Sequence, residues 1–203
     1  GWVPGGLAAA TVLSCLFFGA ISGSSPATVV AIGSIMFPAL VAAGYDKRFA
    51  IGLIATAGTL GPIVPPSIAL IIYGSVTGTS VGRLFAAGLL PAIVIASILI
   101  AYCIVFSSIK GYERAPFPSL RQILVAFKDA AWGLGLPVIL LGGIYSGVFT
   151  PTESAAVACV YGLFVGMVVY RTINLKELAG TLRSSGLISA TLLLITAGAS
   201  AFS

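Results

Sequence analysis

The chain has 203 residues, of which 59% are hydrophobic and 7% charged, with a mean hydropathy of +1.14, where an average soluble domain carries roughly 25% charged residues. That balance excludes a soluble globular enzyme and predicts an all-α polytopic membrane protein. Histidine is absent, removing the usual base of a Ser or Cys triad and the commonest transition-metal ligand, and the net charge of +5 is scattered through short loops, so no enzyme activity, no cofactor and no nucleic-acid partner is expected.

Apolar segments fall at about 7–21, 27–43, 48–73, 83–109, 132–149, 153–170 and 186–203, set against the roughly 20 residues a helix needs to cross a bilayer. The first two are short for spans. Joined by a Ser-Gly-Ser-Ser-Pro knot at 22–26, they read as a re-entrant helical hairpin, 7–43, whose ends share one side of the membrane. The third is long enough to cross but is broken in its middle, and 83–109 returns. Residues 110–131 form a loop in which Leu120, Ile123, Leu124, Phe127 and Ala131 repeat at helical spacing after a Ser119-x-x-Gln122 capping box, predicting an interfacial amphipathic helix, with a partner-docking helix as the lesser alternative. Helices 132–149, 153–170 and 186–203 follow. The chain opens on Gly1 without a Met and stops at Ser203 in an uncharged stretch, and is expected to be an internal piece of a longer one.

With the hairpin base in the cytoplasm, Lys47, Arg48, Lys110, Arg114, Arg121, Lys128, Arg171, Lys176 and Arg183 all face inward and only Arg83 lies outside, as the positive-inside rule asks. Full spans at 7–21 and 27–43 give the same sidedness, so charge does not by itself choose the hairpin. Cys15, Cys103 and Cys159 have neither disulfide nor zinc spacing and read as small buried hydrophobes.

Chemistry concentrates in two breaks, Gly19–Thr28 and Gly58–Ser67. Non-helical backbone at membrane depth is tolerated only where protein buries it or it lines a polar cavity. Ser25-Pro26 predicts a helix start, with Ser25 as N-cap and Pro26 at the first helical position, whose free N–H groups and positive dipole end suit an anion. Pro65-Pro66-Ser67 repeats the device. The helix entering from Arg48 is expected to end near Gly58–Gly61 with its last carbonyls unpaired, because Pro62, Pro65 and Pro66 have no N–H. Those carbonyls, with the hydroxyls of Ser22, Ser24, Ser25, Thr28, Thr59 and Ser67, form a hard-oxygen setting for Na⁺ around Ser22–Ser25, with Gly23, and around Gly58–Gly61. Broken helices of this kind recur in ion-coupled secondary transporters. The plainer alternative is a kink between closely packed helices, as the Gly-x-x-x-Gly spacings at Gly19/Gly23, Gly74/Gly78, Gly143/Gly147 and Gly162/Gly166 also permit. Thr150-Pro151-Thr152-Glu153 is a capping box in which the helix supplies its own carboxylate, so Thr150 and Glu153 read as structural before functional.

Four motifs in order carry a family resemblance: Gly23-Ser24-Ser25-Pro26-Ala27-Thr28, Gly44-Tyr45-Asp46-Lys47-Arg48-Phe49, Gly58-Thr59-Leu60-Gly61 with Pro65-Pro66-Ser67, and Gly142-Gly143-Ile144-Tyr145-Ser146-Gly147 with Phe149-Thr150-Pro151-Thr152-Glu153. Over nearly its whole length the chain resembles the large membrane subunit of tripartite ATP-independent periplasmic (TRAP) transporters, the DctM-like family. The resemblance implies a multi-pass protein of the bacterial inner membrane that imports organic anions, C4-dicarboxylates or sialic and other sugar acids, with Na⁺ as coupling ion. Its implied partners are a small DctQ-like membrane subunit, a DctP-like periplasmic substrate-binding protein and the lipid bilayer. It also implies an elevator-type, inverted-repeat transporter in which 1–109 belongs to the first repeat of the transport domain, 132–203 opens the second, and the matching hairpin and broken helix lie beyond Ser203. The permease subunit of an ATP-driven importer is the alternative. No Gly-x-x-x-x-Gly-Lys-Ser/Thr loop is present, so an ATPase would have to be a separate chain docking on 110–131. An intramembrane serine protease built on Ser24 or Ser25 would lack a His or mid-span Lys as base.

Overall fold

The structure, a computed structural model, describes residues 4–112 and 119–201. Arg114 therefore lies outside the described residues, as do both ends of the chain. The chain forms two compact units, Gly1–Ser154 and Ala155–Ser203.

In the first unit, helices α1 (Gly6–Ser22) and α2 (Ser25–Ala42) are separated by Gly23 and Ser24 alone. Helix α3 (Lys47–Gly58) ends in a run of turns, and α4 (Ile68–Thr77) resumes the broken segment and runs four residues past the expected end at Tyr73, closing on a left-handed Gly78. Helix α5 (Val81–Lys110) is unbroken for 30 residues, about 45 Å at 1.5 Å per residue. The core forms where α1 packs on α2, α3 and α5. Its buried side chains are small at many positions, Ala8, Cys15, Ala50, Ala57, Ala96 and Cys103 among them. Small residues let backbones approach when no water-driven collapse holds helices together.

At the end where α2 hands over to α3, Asp46 caps α3, its carboxylate accepting from the N–H of Arg48 (2.8 Å) and Phe49 (3.3 Å). Above it Tyr45 stacks on Tyr112 at 4.2 Å and Phe49 on Phe106 at 4.4 Å, tying the C-terminal end of the long α5 return to the α2–α3 corner.

Helix α6 (Leu120–Tyr145) corrects the expected separation of an interfacial helix ending at 131 from a span at 132–149: one helix runs through both. Asp129-Ala130-Ala131-Trp132 contains neither the Pro nor the Gly that ends a helix, so nothing stops it there. The capping box at its start is formed, with Gln122 N–H donating to Ser119 Oγ at 3.3 Å and Ser119 N–H to Gln122 Oε1 at 2.9 Å.

Helix α7 (Pro151–Phe164) continues as a π-turn, Val165–Val169. In the second unit the Gly166 carbonyl accepts from the N–H of Thr172 and Ile173 at 2.9 and 3.3 Å. Helix α8 (Leu175–Ala201) opens eleven residues before the expected Gly186, because Asn174 and Glu177 form a reciprocal capping box, with bonds of 2.8 and 2.9 Å. Cys159 is exposed, unlike the buried Cys15 and Cys103, which corrects its reading as a buried hydrophobe; in a lipid-facing helix an apolar thiol needs no protein cover.

By length and composition four helical stretches can cross a membrane: Ser25–Ala42, Val81–Lys110, Pro151–Val169 and Glu177–Ile195. The protein is thus an all-helical, multi-pass membrane protein.

Candidate functional site

The two breaks come together. Helix α1 stops because Gly23 adopts a left-handed φ of 59°, and its N–H donates to the Gly19 carbonyl at 2.8 Å, a C-cap that a side chain would strain. Ser24, extended at φ −138° and ψ 130°, then opens α2. This corrects the expected start by one residue: Ser24 is the N-cap, Ser25 the first helical residue and Pro26 the second. Pro still fits, since an N–H at the second position would have no helical partner either.

The cap works through backbone and neighbours. The Ser24 carbonyl accepts from the N–H of Thr28 at 3.1 Å and from Thr28 Oγ1 at 2.8 Å, and Thr28 Oγ1 lies 3.0 Å from Ser22 Oγ. Ser24 N–H donates to Ser22 Oγ at 3.4 Å. Thr28 is fully buried. The hydroxyls of Ser24 and Ser25, half-buried, make no hydrogen bond among the described residues. Nor do the first-turn N–H groups of Ser25 and Ala27, which precede the first helical bond.

The second break corrects the expectation of free carbonyls at the end of α3. Tightened turns cap them: Thr59, Leu60 and Gly61 N–H donate to Thr56, Ala57 and Gly58 carbonyls, each at 3.1 Å, and Val64 N–H to Leu60 at 2.8 Å. The prolines remove donors only from Pro62 onward, where Ser67 Oγ takes over by donating to the Pro62 carbonyl at 2.5 Å and accepting Leu70 N–H at 3.2 Å. Pro65 and Pro66 are joined by a cis peptide. Ser67 is fully buried, and its hydroxyl is engaged in holding the turn to α4.

Glycines set the fit between the breaks. A Cβ on Gly19 would lie 3.0 Å from Gly61 Cα, one on Gly61 would lie 2.7 Å from the Ser24 carbonyl oxygen, and one on Gly23 would lie 2.6 Å from the Pro66 carbonyl oxygen. A Cβ on Gly58 would run into Val29 of α2. Ile68 N–H, opening α4, donates to the Gly23 carbonyl at 3.4 Å. Gly23, Ser24 and Thr28 therefore meet Gly61, Pro66 and Ser67 directly, and Ser22 joins them through Thr28 Oγ1. Thr59 stays apart: it is exposed, and its hydroxyl donates back to the Thr56 carbonyl at 2.7 Å. The sequence marks Gly19 as the opening of the first break and as a packing glycine, and Pro62 for its missing N–H; the spacing of one helical turn between Gly19 and Gly23 is the signal that places Gly19 at the tip.

The two helix starts differ in what they leave open. At α4, protein groups take the N–H of Ile68 and Leu70, whereas α2 retains two N–H groups and two serine hydroxyls. No three His, Cys, Asp or Glu side chains converge among the described residues, so a cation here would meet neutral oxygens only. At α7, Glu153 Oε2 accepts from the N–H and the hydroxyl of Thr150, both at 2.8 Å, and Thr150 Oγ1 accepts Glu153 N–H at 3.3 Å. That helix start is filled from within.

The family model for the DctM component of the tripartite ATP-independent periplasmic transporter matches residues 1–203. A large permease protein DctM of a C4-dicarboxylate TRAP transporter from Pseudomonas aeruginosa is 48% identical over 202 residues, covering 100% of this chain and 47% of its own. The corresponding protein of Vibrio cholerae is 51% identical over 171 residues, 84% of this chain and 38% of its own. The large permease protein TeaC of an ectoine TRAP transporter from Halomonas elongata is 40% identical over 203 residues, 100% of this chain and 48% of its own. The chain spans about half the length of these relatives.

Proposed function

The chain belongs to the DctM family, the large membrane component of tripartite ATP-independent periplasmic transporters, and from that membership we propose that it carries one half of the translocation site of a Na⁺-driven importer of organic anions. The observation that carries the reading is the interlock of two helix breaks, with the hydroxyls of Ser24 and Ser25 and the N–H groups of Ser25 and Ala27 left unengaged at the start of α2. A carboxylate is the ligand such a helix start favours, by dipole and by free donors. C4-dicarboxylates are the first choice of substrate, with sialic and sugar acids behind them. Na⁺ is bound within Ser22–Ser25 and Gly58–Gly61, by the hydroxyls of Ser22, Ser24 and Ser25 and by backbone carbonyls such as those of Gly23 and Gly58, which accept one bond each and keep a second lone pair. Neutralising the anion there lets the loaded site cross hydrocarbon that would reject either charge alone.

In this reading α1 and α2 form a re-entrant hairpin, α3 and α4 the broken span facing it, and the assembly moves as an elevator in the bacterial inner membrane. A small membrane subunit anchors it and a periplasmic binding protein delivers substrate. The test is uptake by the full-length protein with both partners in proteoliposomes. Replacing Na⁺ by choline is expected to abolish uptake, and Ser24→Ala or Ser25→Ala to raise the half-saturating Na⁺ or substrate concentration about fivefold, the effect of one lost contact worth about 1 kcal/mol. Unchanged uptake in choline would overturn the coupling. Collapse of uptake on ATP depletion at a constant Na⁺ gradient would overturn the secondary mechanism.

A further inference from the structure

At the α2–α3 corner, Lys47 and Arg48 occupy the first turn of α3, where positive charge opposes the helix dipole and acidic residues are the favourable choice. No ion pair offsets them among the described residues. Asp46 is committed to capping the same helix, and neither cation, nor Lys110 at the end of α5, has an ion-pair partner among the described residues. Tyr112, two residues past Lys110, stacks on Tyr45 and accepts the Asp46 N–H at 3.4 Å, which brings Lys110 to the same corner.

From Arg48 a groove of about 410 Å³ runs between α3 and α5, lined by Phe49, Gly52, Leu53 and Thr56 on one side and by Leu99 and Tyr102 on the other. A Cβ on Gly52 would meet nothing within 4 Å, so the glycine leaves the groove open rather than admitting a neighbouring helix. An aromatic layer, Phe49 against Phe106 at 4.4 Å and Tyr102 against Phe106 at 5.8 Å, stands at the mouth, at the level where amphipathic rings settle in a bilayer interface.

We propose that this groove binds one anionic phospholipid of the inner leaflet, its phosphate held by Lys47, Arg48 and Lys110 and an acyl chain laid along Phe49, Gly52, Leu53 and Leu99. Unpaired cations at the mouth of an apolar groove between membrane helices match that ligand at both ends, and neither a soluble anion nor a neutral lipid does so. The inference rests on the proposed sidedness of the chain, which puts this corner at the cytoplasmic face, but not on Na⁺ coupling or on the substrate.

The experiment is native mass spectrometry of the full-length protein, stripped of lipid in detergent and titrated with phosphatidylglycerol or phosphatidylcholine of matched chains. Wild type is expected to retain one phosphatidylglycerol with about fivefold preference over phosphatidylcholine. K47Q/R48Q is expected to erase the preference, and it relieves rather than harms the helix start, so misfolding does not confound it. Gly52→Leu, which fills the groove and leaves the charges in place, is expected to lose the bound lipid of either kind. Equal retention of both lipids by wild type, or undiminished phosphatidylglycerol binding in Gly52→Leu, would overturn the proposal, the latter by reducing the corner to a basic surface. Retained lipid preference alongside lost Na⁺ coupling would count against the proposed function and leave this site standing.

Discussion

Gly61 faces the Ser24 carbonyl across the two breaks with no room for a methyl group, since a Cβ there would stand 2.7 Å from that oxygen and 2.9 Å from Thr28 Oγ1. Both neighbours are fixed: Ser24 accepts two bonds from Thr28, and Thr28 is fully buried. Neither can rotate away as a flexible side chain would. Gly61→Ala must therefore push the tip and the unwound segment apart, at a cost of about 1–3 kcal/mol typical of overpacking. The expected outcome is a lowered thermal midpoint of the full-length protein together with a loss of uptake larger than the stability change explains. Wild-type uptake in Gly61→Ala would show that the close approach has no bearing on transport. The sequence could mark Gly61 as a break residue but not as the partner of Ser24. Backbone-to-backbone contact between segments some thirty residues apart leaves no trace in either segment's composition or spacing.

Helix ends were legible wherever a cap is written in adjacent residues. Ser119-x-x-Gln122 and Thr150-x-x-Glu153 could be read directly, and Asn174-x-x-Glu177 carries the same signal, passed over because the hydropathy of 175–185 is too low to suggest a span. Interruptions are harder. Residues 110–131 look like a separate amphipathic element because polarity changes near Ala131, yet α6 runs through, since a change of environment is no reason for a helix to stop. The carbonyls of α3 illustrate the opposite error: counting prolines predicts orphans, but three consecutive turn bonds close before the first proline acts. The continuity of α6 carries a prediction of its own. Gly133 is exposed with nothing within 4 Å of a Cβ, so Gly133→Ala should stabilise the helix by up to about 1 kcal/mol, whereas Ala130→Pro should cost about 3 kcal/mol. Thermal unfolding of the full-length protein in detergent checks both. A tolerated proline at 130 would restore the boundary that polarity suggests.

At the scale of the molecule the open question is how the first unit crosses the bilayer, and helix length and charge bear on it together. Helix α5, 30 residues long with Lys110 in its last turn and Arg83 in its first, outruns the roughly 30 Å hydrocarbon core, so its ends must lie on opposite faces. Helices α1 and α2, with 17 and 18 residues, reach only about 26–27 Å. Helix α1 falls short of a full crossing and α2 only just suffices for one, and a two-residue link between them at the outer surface would leave the polar tip in water with no reason to pack Gly19 on Gly61. These lengths yield a topology prediction in a background where Cys15, Cys103 and Cys159 are replaced by Ala. In intact cells carrying the full-length protein and both partners, a cysteine at Thr79 should react with a membrane-impermeant maleimide added outside, and one at Lys110 only after permeabilisation. A cysteine at Ala27, beside the tip, separates the two placements of α1 and α2. Two full spans would make it react as readily as Thr79→Cys. A re-entrant hairpin would make it react slowly, through the substrate path, and Na⁺ with substrate would protect it while leaving Thr79→Cys unaffected. Fast labelling at 27 that substrate does not alter would move the tip to the surface, and with it the unengaged N–H groups of α2 on which the proposed binding of a carboxylate depends.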